Sequence, residues 1–199
     1  NIIYAAVLLK FKNNINNNLN YIEKLFELPN KIVSITNDNK YLSGIRESGK
    51  ILFSESDIVE LRSNARIREL FLTDYPIRDL KIKNINKLTL LQKIKVLEKY
   101  SSYPSLSRKA KNNIMEADII IYCSGTQHSS LLPSYMTKNL SKIIKRARGF
   151  KVFITNIGAD YETPNYSASE YVLNAFNYLN RSNQNNYISN FFLNITCIH

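Results

Sequence analysis

The fold of this chain is decided by residues 117–130, which read Ala117-Asp118-Ile119-Ile120-Ile121-Tyr122-Cys123-Ser124-Gly125-Thr126-Gln127-His128-Ser129-Ser130. A short apolar run bounded by turn residues is typical of a strand that is buried on both faces of a parallel sheet. The small polar residues after the run predict a turn, and the residues beyond them predict the start of a helix. In open α/β sheets, ligands lie beyond the carboxyl ends of the strands, where this turn would lie.

The turn over residues 124–130, which we call the Gly125 loop, has the chemistry of an anion site. It combines a glycine, hydroxyl side chains and the N–H groups of an opening helix, where the helix dipole is positive. We therefore predict that the loop binds a phosphate through its seven residues, Ser124, Gly125, Thr126, Gln127, His128, Ser129 and Ser130. The alternative is an ordinary connection between a strand and a helix.

Two side chains, Asn156 outside the loop and His128 within it, are candidates for a direct role. Asn156 ends the next predicted strand, so its amide would lie near Gly125 if the two strands are parallel neighbours, and it could orient a ribose or an acceptor hydroxyl. His128 could act as a cationic clamp or a general acid beside a phosphate, or it could simply face solvent. Glu162 and Glu170 are predicted to be capping or surface groups rather than bases, because acids are favoured near helix starts.

Composition restricts the class of protein. The 199 residues are 44% hydrophobic, which is ordinary for one globular domain. The net charge of +11 comes from dispersed lysines and arginines, without an RNP-like aromatic motif or a helix-turn-helix pattern. We therefore predict a solvated basic surface that could attract a phosphorylated small ligand, and we predict no nucleic acid partner.

Cysteine, histidine and apolar patterns exclude other classes. Cys123 and Cys197 are too few for a disulfide framework, which favours a reducing cytoplasm, and Cys123 is predicted to be a packed apolar residue rather than a nucleophile. His128 and His199 have no zinc-ligand spacing. No apolar stretch approaches the roughly 20 residues that span a bilayer, and no signal peptide is recognisable, so we predict no membrane partner.

Helices and strands alternate through the second half of the chain. Helices are predicted over residues 2–11, 19–28, 88–100, 130–148 and 168–179, with a shorter one ending at residue 115. Strands are predicted over residues 31–36, 41–46, 50–53, 66–72, 118–123, 151–155 and 191–197, the second and third forming a hairpin. This order predicts a single α/β domain over residues 1–199, a three-layer αβα sandwich with a mostly parallel, Rossmann-like sheet.

Short motifs along most of the chain share an order with a known family. They are Asn1-Ile2-Ile3-Tyr4-Ala5-Ala6, Ser54-Glu55-Ser56, Ala117-Asp118, Ser124-Gly125-Thr126, Ser129-Ser130-Leu131-Leu132-Pro133, Asn156-Ile157, Glu162-Thr163 and Tyr166-Ser167. The set resembles the CofD-like family, which includes 2-phospho-L-lactate transferase and the bacterial gluconeogenesis factors. The chain departs from the family pattern at Cys123-Ser124, at Gln127-His128 and at Glu170-Tyr171. The family's glycine-rich first half is not matched, which implies that this is the C-terminal part of a longer CofD-like domain.

The resemblance implies a function. In the transferase members, a nucleotide diphosphate carries a phospholactyl or phosphoenolpyruvyl group to the hydroxyl of a deazaflavin. A nucleotide or nucleotide-linked small molecule would then be the partner, held by the Gly125 loop, Asn156 and Asn1. Mg²⁺ is the implied cofactor, with Glu55 and Asp57 as the nearest matched acids, although a solvent-facing strand also explains them. The alternative is a non-catalytic regulator of the gluconeogenesis-factor type that binds a nucleotide sugar. The sequence does not decide whether the chain is an enzyme, the family placement favours a transferase of phospholactyl-type groups, and a homo-oligomer is compatible with the sequence.

Overall fold

The computed structural model describes residues 2–12, 14–60, 65–80, 82, 84–158, 160–182 and 197–198. Its helices are α1 (Ile2–Lys10), α2 (Ile15–Leu25), α3 (Glu55–Val59), α4 (Leu90–Lys99), α5 (Arg108–Glu116), α6 (Leu132–Tyr135), α7 (Leu140–Arg146) and α8 (Ala168–Arg181). Its strands are β1 (Tyr41–Arg46), β2 (Ile51–Leu52), β3 (Ile67–Thr73), β4 (Ile119–Tyr122), β5 (Phe150–Ile154) and β6 (Cys197–Ile198). Within these residues, no helix is long and apolar enough to cross a membrane.

Side-chain caps explain where many of the helices begin. Helices α2, α3, α4, α5 and α8 each follow a Ser, Thr or Asn whose side chain accepts a hydrogen bond from a backbone N–H in the first turn. Such caps stabilise a helix by about 1 kcal/mol. The cap at Asn14 starts α2 four residues before the predicted residue 19, because the side chain binds the N–H of Asn17 at 3.1 Å.

The strands form two three-stranded sheets. Strands β2, β1 and β3 pair antiparallel in that order, and the predicted hairpin between β1 and β2 is confirmed. Its turn contains Gly49 at φ +82°, a backbone conformation that glycine adopts without strain. Strands β4, β5 and β6 pair parallel. The α/β class is therefore confirmed, whereas the described strands do not form one mostly parallel sheet.

The largest apolar core lies between the two sheets and the helices that follow them. It joins residues of the antiparallel sheet to residues of β4, β5, α6, α7 and α8, among them Leu70, Tyr122, Leu132, Phe153 and Leu179. A second core forms under α4 and contains Ile45, Ile51, Phe71, Ile77 and Leu97. Burial of each large apolar side chain stabilises the fold by about 1.5–3 kcal/mol, so these clusters hold the two sheets in place.

The predicted strand over residues 31–36 is wrong. Its backbone instead accepts hydrogen bonds from the start of α5, since the Ser107 N–H binds the Ile35 carbonyl at 2.8 Å and the Ser107 hydroxyl binds the Ser34 carbonyl at 2.7 Å. Alternation of apolar and polar residues predicted a strand here, but the carbonyl groups serve as acceptors for a helix start rather than for a neighbouring strand.

Strand β4 is not covered on both faces by the described residues. Ile119 is 58% exposed and Ile121 is 51% exposed, while Tyr122 is buried. Cys123 is also exposed, so its predicted role as a packed apolar residue is wrong. The apolar run correctly predicted a strand, but a continuous run cannot report which of its two faces is covered.

The predicted helix over residues 130–148 is broken into three pieces. A π-type turn over Gln127–Leu131 runs directly into α6, and α7 follows after a turn in which Asn139 adopts φ +64°. Most of the strand predicted over residues 191–197 lies outside the described residues, and so do Asn1 and His199. Only Cys197–Ile198 of that region is described, and it pairs with β5.

Candidate functional site

The parallel pairing of β4 and β5 brings the Gly125 loop and Asn156 together. Tyr122 lies opposite Phe153, so the residues that follow both strands meet at one edge of the sheet. The Gly125 N–H donates to Oδ1 of Asn156 at 2.9 Å, and Nδ2 of Asn156 donates to the Gly125 carbonyl at 3.0 Å. The amide side chain thus holds both backbone polar groups of Gly125 and fixes the path of the loop.

The rim of the Gly125 loop is polar and open to solvent. Ser124, Gly125, Thr126 and Ser130 are exposed, and the hydroxyls of Thr126 and Ser130 lie 2.7 Å apart. A Cβ atom added to Gly125 would lie 3.6 Å from the nearest side-chain atom, a methyl carbon of Leu131, which is ordinary contact. The fold itself therefore does not require glycine at this position.

The inner side of the loop binds a carboxylate from this same chain. The N–H groups of His128 and Ser129 donate to Oε2 of Glu162 at 2.7 and 2.9 Å, and the Ser129 hydroxyl donates to Oε1 at 2.5 Å. Glu162 is only 4% exposed. Glu162 is therefore a capping group, as predicted, and not a surface group. The N–H groups that it caps lie 33–34 residues earlier in the chain.

His128 is buried, with 1% of its surface exposed, so it neither faces solvent nor carries a charge near neutral pH. Burial lowers the pKa of His128 from 6.5 to about 4, and a hydrogen bond with the Glu162 backbone offsets part of this effect. Its ring lies edge-on to Tyr166, and Nδ1 has no hydrogen-bond partner among the described residues. The prediction that His128 acts as a cationic clamp is therefore wrong, because the buried ring is neutral near pH 7.

The described residues 156–158 and 160–163, which we call the strap, lie between β5 and α8 and include both Asn156 and Glu162. Oδ1 of Asp160 accepts the Glu162 N–H at 3.0 Å, and Oδ2 lies 3.4 Å from Nδ2 of Asn156. At its far end, the Thr163 and Tyr171 hydroxyls are 2.7 Å apart. The strap therefore couples the two ends of the loop to one short segment.

Glu170 lies in the first turn of α8 and forms a capping box with Ser167, as predicted for a capping group. Its Oε2 accepts the Ser167 N–H at 2.8 Å, and Oε1 pairs with Arg66 at 2.6 Å. These hydrogen bonds lower the pKa of Glu170 below its usual value. The same Arg66 lies over the ring of Tyr166, so the neighbourhood of the loop is held by an ordinary structural network.

The two predicted metal ligands, Glu55 and Asp57, have different surroundings in the structure. Glu55 lines a cavity of about 270 Å³ that is also lined by Ser129, Ser134 and Thr137. Asp57 instead accepts the Phe53 N–H at 2.8 Å and lies 3.6 Å from Arg78. The predicted strand at Glu55 is a helix start, capped by Ser54. The described residues contain no group of three or more His, Cys, Asp or Glu side chains that could hold a metal ion.

The structure thus brings seven of the predicted phosphate ligands and Asn156 to one sheet edge, while Asn1 lies outside the described residues. Sequence reasoning missed Asp160 and the direct contact of Glu162 with the loop. Their spacing after Asn156 was the only available signal. That signal could not reveal the contact of Glu162 with His128, because the two residues are 34 positions apart in the sequence.

Comparison with known proteins gives a consistent result. A family model described as 2-phospho-L-lactate transferase CofD matches residues 2–198. A curated relative from Aquifex aeolicus is 27% identical over 145 residues, which are 66% of this chain and 40% of the relative. A gluconeogenesis factor from Halalkalibacterium halodurans is 24% identical over 152 residues, covering 76% of this chain and 38% of the relative.

The similarity extends to a solved fold. The crystal structure of a member of the upf0052 family from Bacillus halodurans aligns with a TM-score of 0.65 at 21% identity. The alignment covers 92% of this chain and 50% of that protein. The chain therefore spans less than half the length of these two curated relatives and half the length of the solved one.

Proposed function

The chain belongs to the CofD family, and on this premise we propose that its Gly125 loop binds the phosphate groups of a nucleotide-linked small molecule. The observation that carries the proposal is the open glycine at the loop's rim. The fold leaves room for a side chain at Gly125, yet the residue is a glycine that is held by Asn156 and followed in the sequence by the hydroxyl residue Thr126. A glycine in such a place allows the close approach of a ligand.

Charge and chemistry agree with a phosphate ligand. The net charge of +11 favours the approach of anions, and the rim hydroxyls of Thr126 and Ser130 are donors that suit phosphate oxygens. Asn156 takes part by shaping the loop, since both of its amide atoms already contact Gly125. The amide is therefore an orienting group rather than a direct ligand in this state.

Between the two functions open to the family, we propose the non-catalytic regulator. The curated Halalkalibacterium halodurans relative is a gluconeogenesis factor, and His128, the side chain with acid–base potential in the loop, is buried and neutral. A general acid at neutral pH needs a pKa near that pH. Transfer of a phospholactyl-type group, which the description of the matching family model suggests, remains the second candidate.

Mg²⁺ fits one of the two predicted acids. Glu55 lines the same cavity as Ser129, so its carboxylate would hold a cation beside a phosphate bound at the loop. Mg²⁺ commonly uses one or two carboxylates together with substrate phosphates, and it would neutralise part of the phosphate charge. Asp57 is engaged with Phe53 and Arg78, so it is not expected to take part.

Titration calorimetry with GDP, UDP and inorganic pyrophosphate on the full-length protein tests the proposal. Gly125→Val fills the rim and is expected to abolish binding while the melting temperature changes little, because a Cβ there meets no close atom. Asn112→Val is the control, since Asn112 is exposed in α5, outside the loop and the strap, and the two residues have similar helix propensities. Equal affinity of the wild type and Gly125→Val would remove the loop from the binding site.

A further inference from the structure

The hydrogen-bond donors on the inner side of the Gly125 loop bind a carboxylate of this same chain. Glu162 accepts three hydrogen bonds there, two from consecutive backbone N–H groups and one from the Ser129 hydroxyl. Among the described residues, no lysine or arginine forms an ion pair with it. The charge of this buried side chain is therefore balanced by the loop donors themselves, as the charge of a bound anion would be.

We propose that Glu162 is a displaceable internal anion, which occupies the loop in the ligand-free protein and leaves it when a phosphate binds. The inference rests on the proposed function of the Gly125 loop and adds a specificity determinant to it. A phosphate and the carboxylate cannot both bind the N–H groups of His128 and Ser129, because two negative charges in contact with the same donors repel each other strongly. Binding of the ligand and release of Glu162 are consequently one exchange.

The strap that carries Glu162 contributes no residue to either apolar core. Ile157 is 87% exposed and Tyr161 is 70% exposed, so the strap buries little apolar surface at these positions. Besides the carboxylate contacts, Asp160 ties the strap together through the Glu162 N–H at 3.0 Å and through a longer contact with Asn156 at 3.4 Å. Segments with few buried apolar contacts open at low free-energy cost.

The exchange selects the chemistry of the ligand. A phosphate monoester or a terminal diphosphate carries up to two negative charges and three acceptor oxygens, whereas the displaced carboxylate has one charge and two oxygens. Both groups can accept the three hydrogen bonds that Glu162 accepts, but only a phosphate adds negative charge next to these donors and so gains electrostatic energy. A ligand that presents only a carboxylate gains nothing in the exchange. Glu162 therefore makes the loop selective for phosphate over carboxylate ligands.

Calorimetric titration with inorganic pyrophosphate tests the exchange in the full-length protein. Glu162→Gln keeps the size of the side chain and one acceptor oxygen but removes the competing charge, so its Kd is expected to be at least tenfold lower than that of the wild type. Glu23→Gln is the matched control, because Glu23 also accepts a backbone N–H, from Ile32 at 2.6 Å, but lies in α2. Its Kd is expected to equal that of the wild type.

A second variant and a second measurement keep the inference testable if Glu162→Gln folds poorly. Asp160→Ala loosens the strap without touching the loop donors, and it is also expected to lower the Kd. Hydrogen exchange measured by mass spectrometry is expected to speed up over residues 156–163 of the wild type when pyrophosphate is added. Slower exchange in that segment would mean that the strap closes on the ligand, which overturns the inference.

The outcomes separate this inference from the proposed function. Equal or weaker pyrophosphate binding by Glu162→Gln and by Asp160→Ala, with wild-type binding present and abolished by Gly125→Val, overturns the exchange and leaves the loop as the site. Absence of pyrophosphate binding in the wild type and in both strap variants overturns the proposed function and the exchange together.

Discussion

The pH dependence of folding provides a direct test of the buried state of His128. We expect His128→Phe to remove a large part of the acid sensitivity of the protein. Phenylalanine keeps an aromatic ring against Tyr166 and does not titrate, and it also replaces the buried Nδ1 atom that has no partner among the described residues. The backbone N–H that donates to Glu162 is kept.

The size of the effect follows from the two pKa values of the histidine. Burial lowers the pKa of His128 in the folded protein to about 4, whereas the value in the unfolded chain is 6.5. Between these values the unfolded chain binds more protons, so stability is complete above pH 6.5 and is lost as the pH falls towards 4. At pH 5, proton binding to this histidine favours the unfolded chain over the folded protein by a factor of about 30. This factor corresponds to a loss of about 2 kcal/mol in the free energy of unfolding.

Thermal unfolding of the wild type and of His128→Phe at pH 7.5 and pH 5 measures this loss. For a protein of 199 residues, about 2 kcal/mol corresponds to roughly 4–8 °C in melting temperature. Hydrogen bonds also lower the pKa values of Asp74 and Glu170, which favours unfolding in acid, but both proteins share these groups. If the melting temperature falls equally in the two proteins between these pH values, His128 is not buried in its neutral form and the reasoning is wrong.

Two further predictions concern stability. Gly149→Ala is expected to destabilise the protein by about 2 kcal/mol or more in urea denaturation, because its Cβ would lie 2.2 Å from the Ala117 carbonyl oxygen. Gly158→Ala, where nothing lies within 4 Å, should cost less than about 0.5 kcal/mol, and equal costs for the two would contradict the close approach. Tyr178→Phe is expected to cost about 1–3 kcal/mol in the same assay, since its buried hydroxyl accepts the Leu70 N–H at 3.0 Å. An unchanged denaturation midpoint would show that this hydrogen bond is not formed in solution.

The local sequence pattern correctly predicted those elements that depend only on residues close together in the chain. Helix α4 lies within the predicted range 88–100, because Thr89 and Gln92 form a capping box and the apolar residues repeat at helical spacing. The hairpin between β1 and β2 follows from Gly49 in its turn. Each of these features depends on contacts within a few residues along the chain, which a sequence displays directly.

Local pattern failed where distant residues decide the outcome. A polar His128 after a turn suggests exposure, yet the ring is buried against Tyr166, which lies 38 residues later in the sequence. The predicted long helix over residues 130–148 breaks between α6 and α7, where Asn139 adopts φ +64° and the Lys138 N–H bonds to the distant Pro104 carbonyl at 2.8 Å. Such outcomes result from packing and cannot be read from helical periodicity.

The sequence by itself determined the α/β class and the strand that leads into the Gly125 loop, because the apolar pattern of a strand is visible in the sequence. It also determined that the loop meets Asn156, because the ends of neighbouring parallel strands lie at the same edge of a sheet. Only the tertiary structure decided that Glu162 fills the loop and that His128 is neutral. Burial and the pairing of distant polar groups depend on which surfaces meet, and that information arises when the strap folds back across the sheet edge.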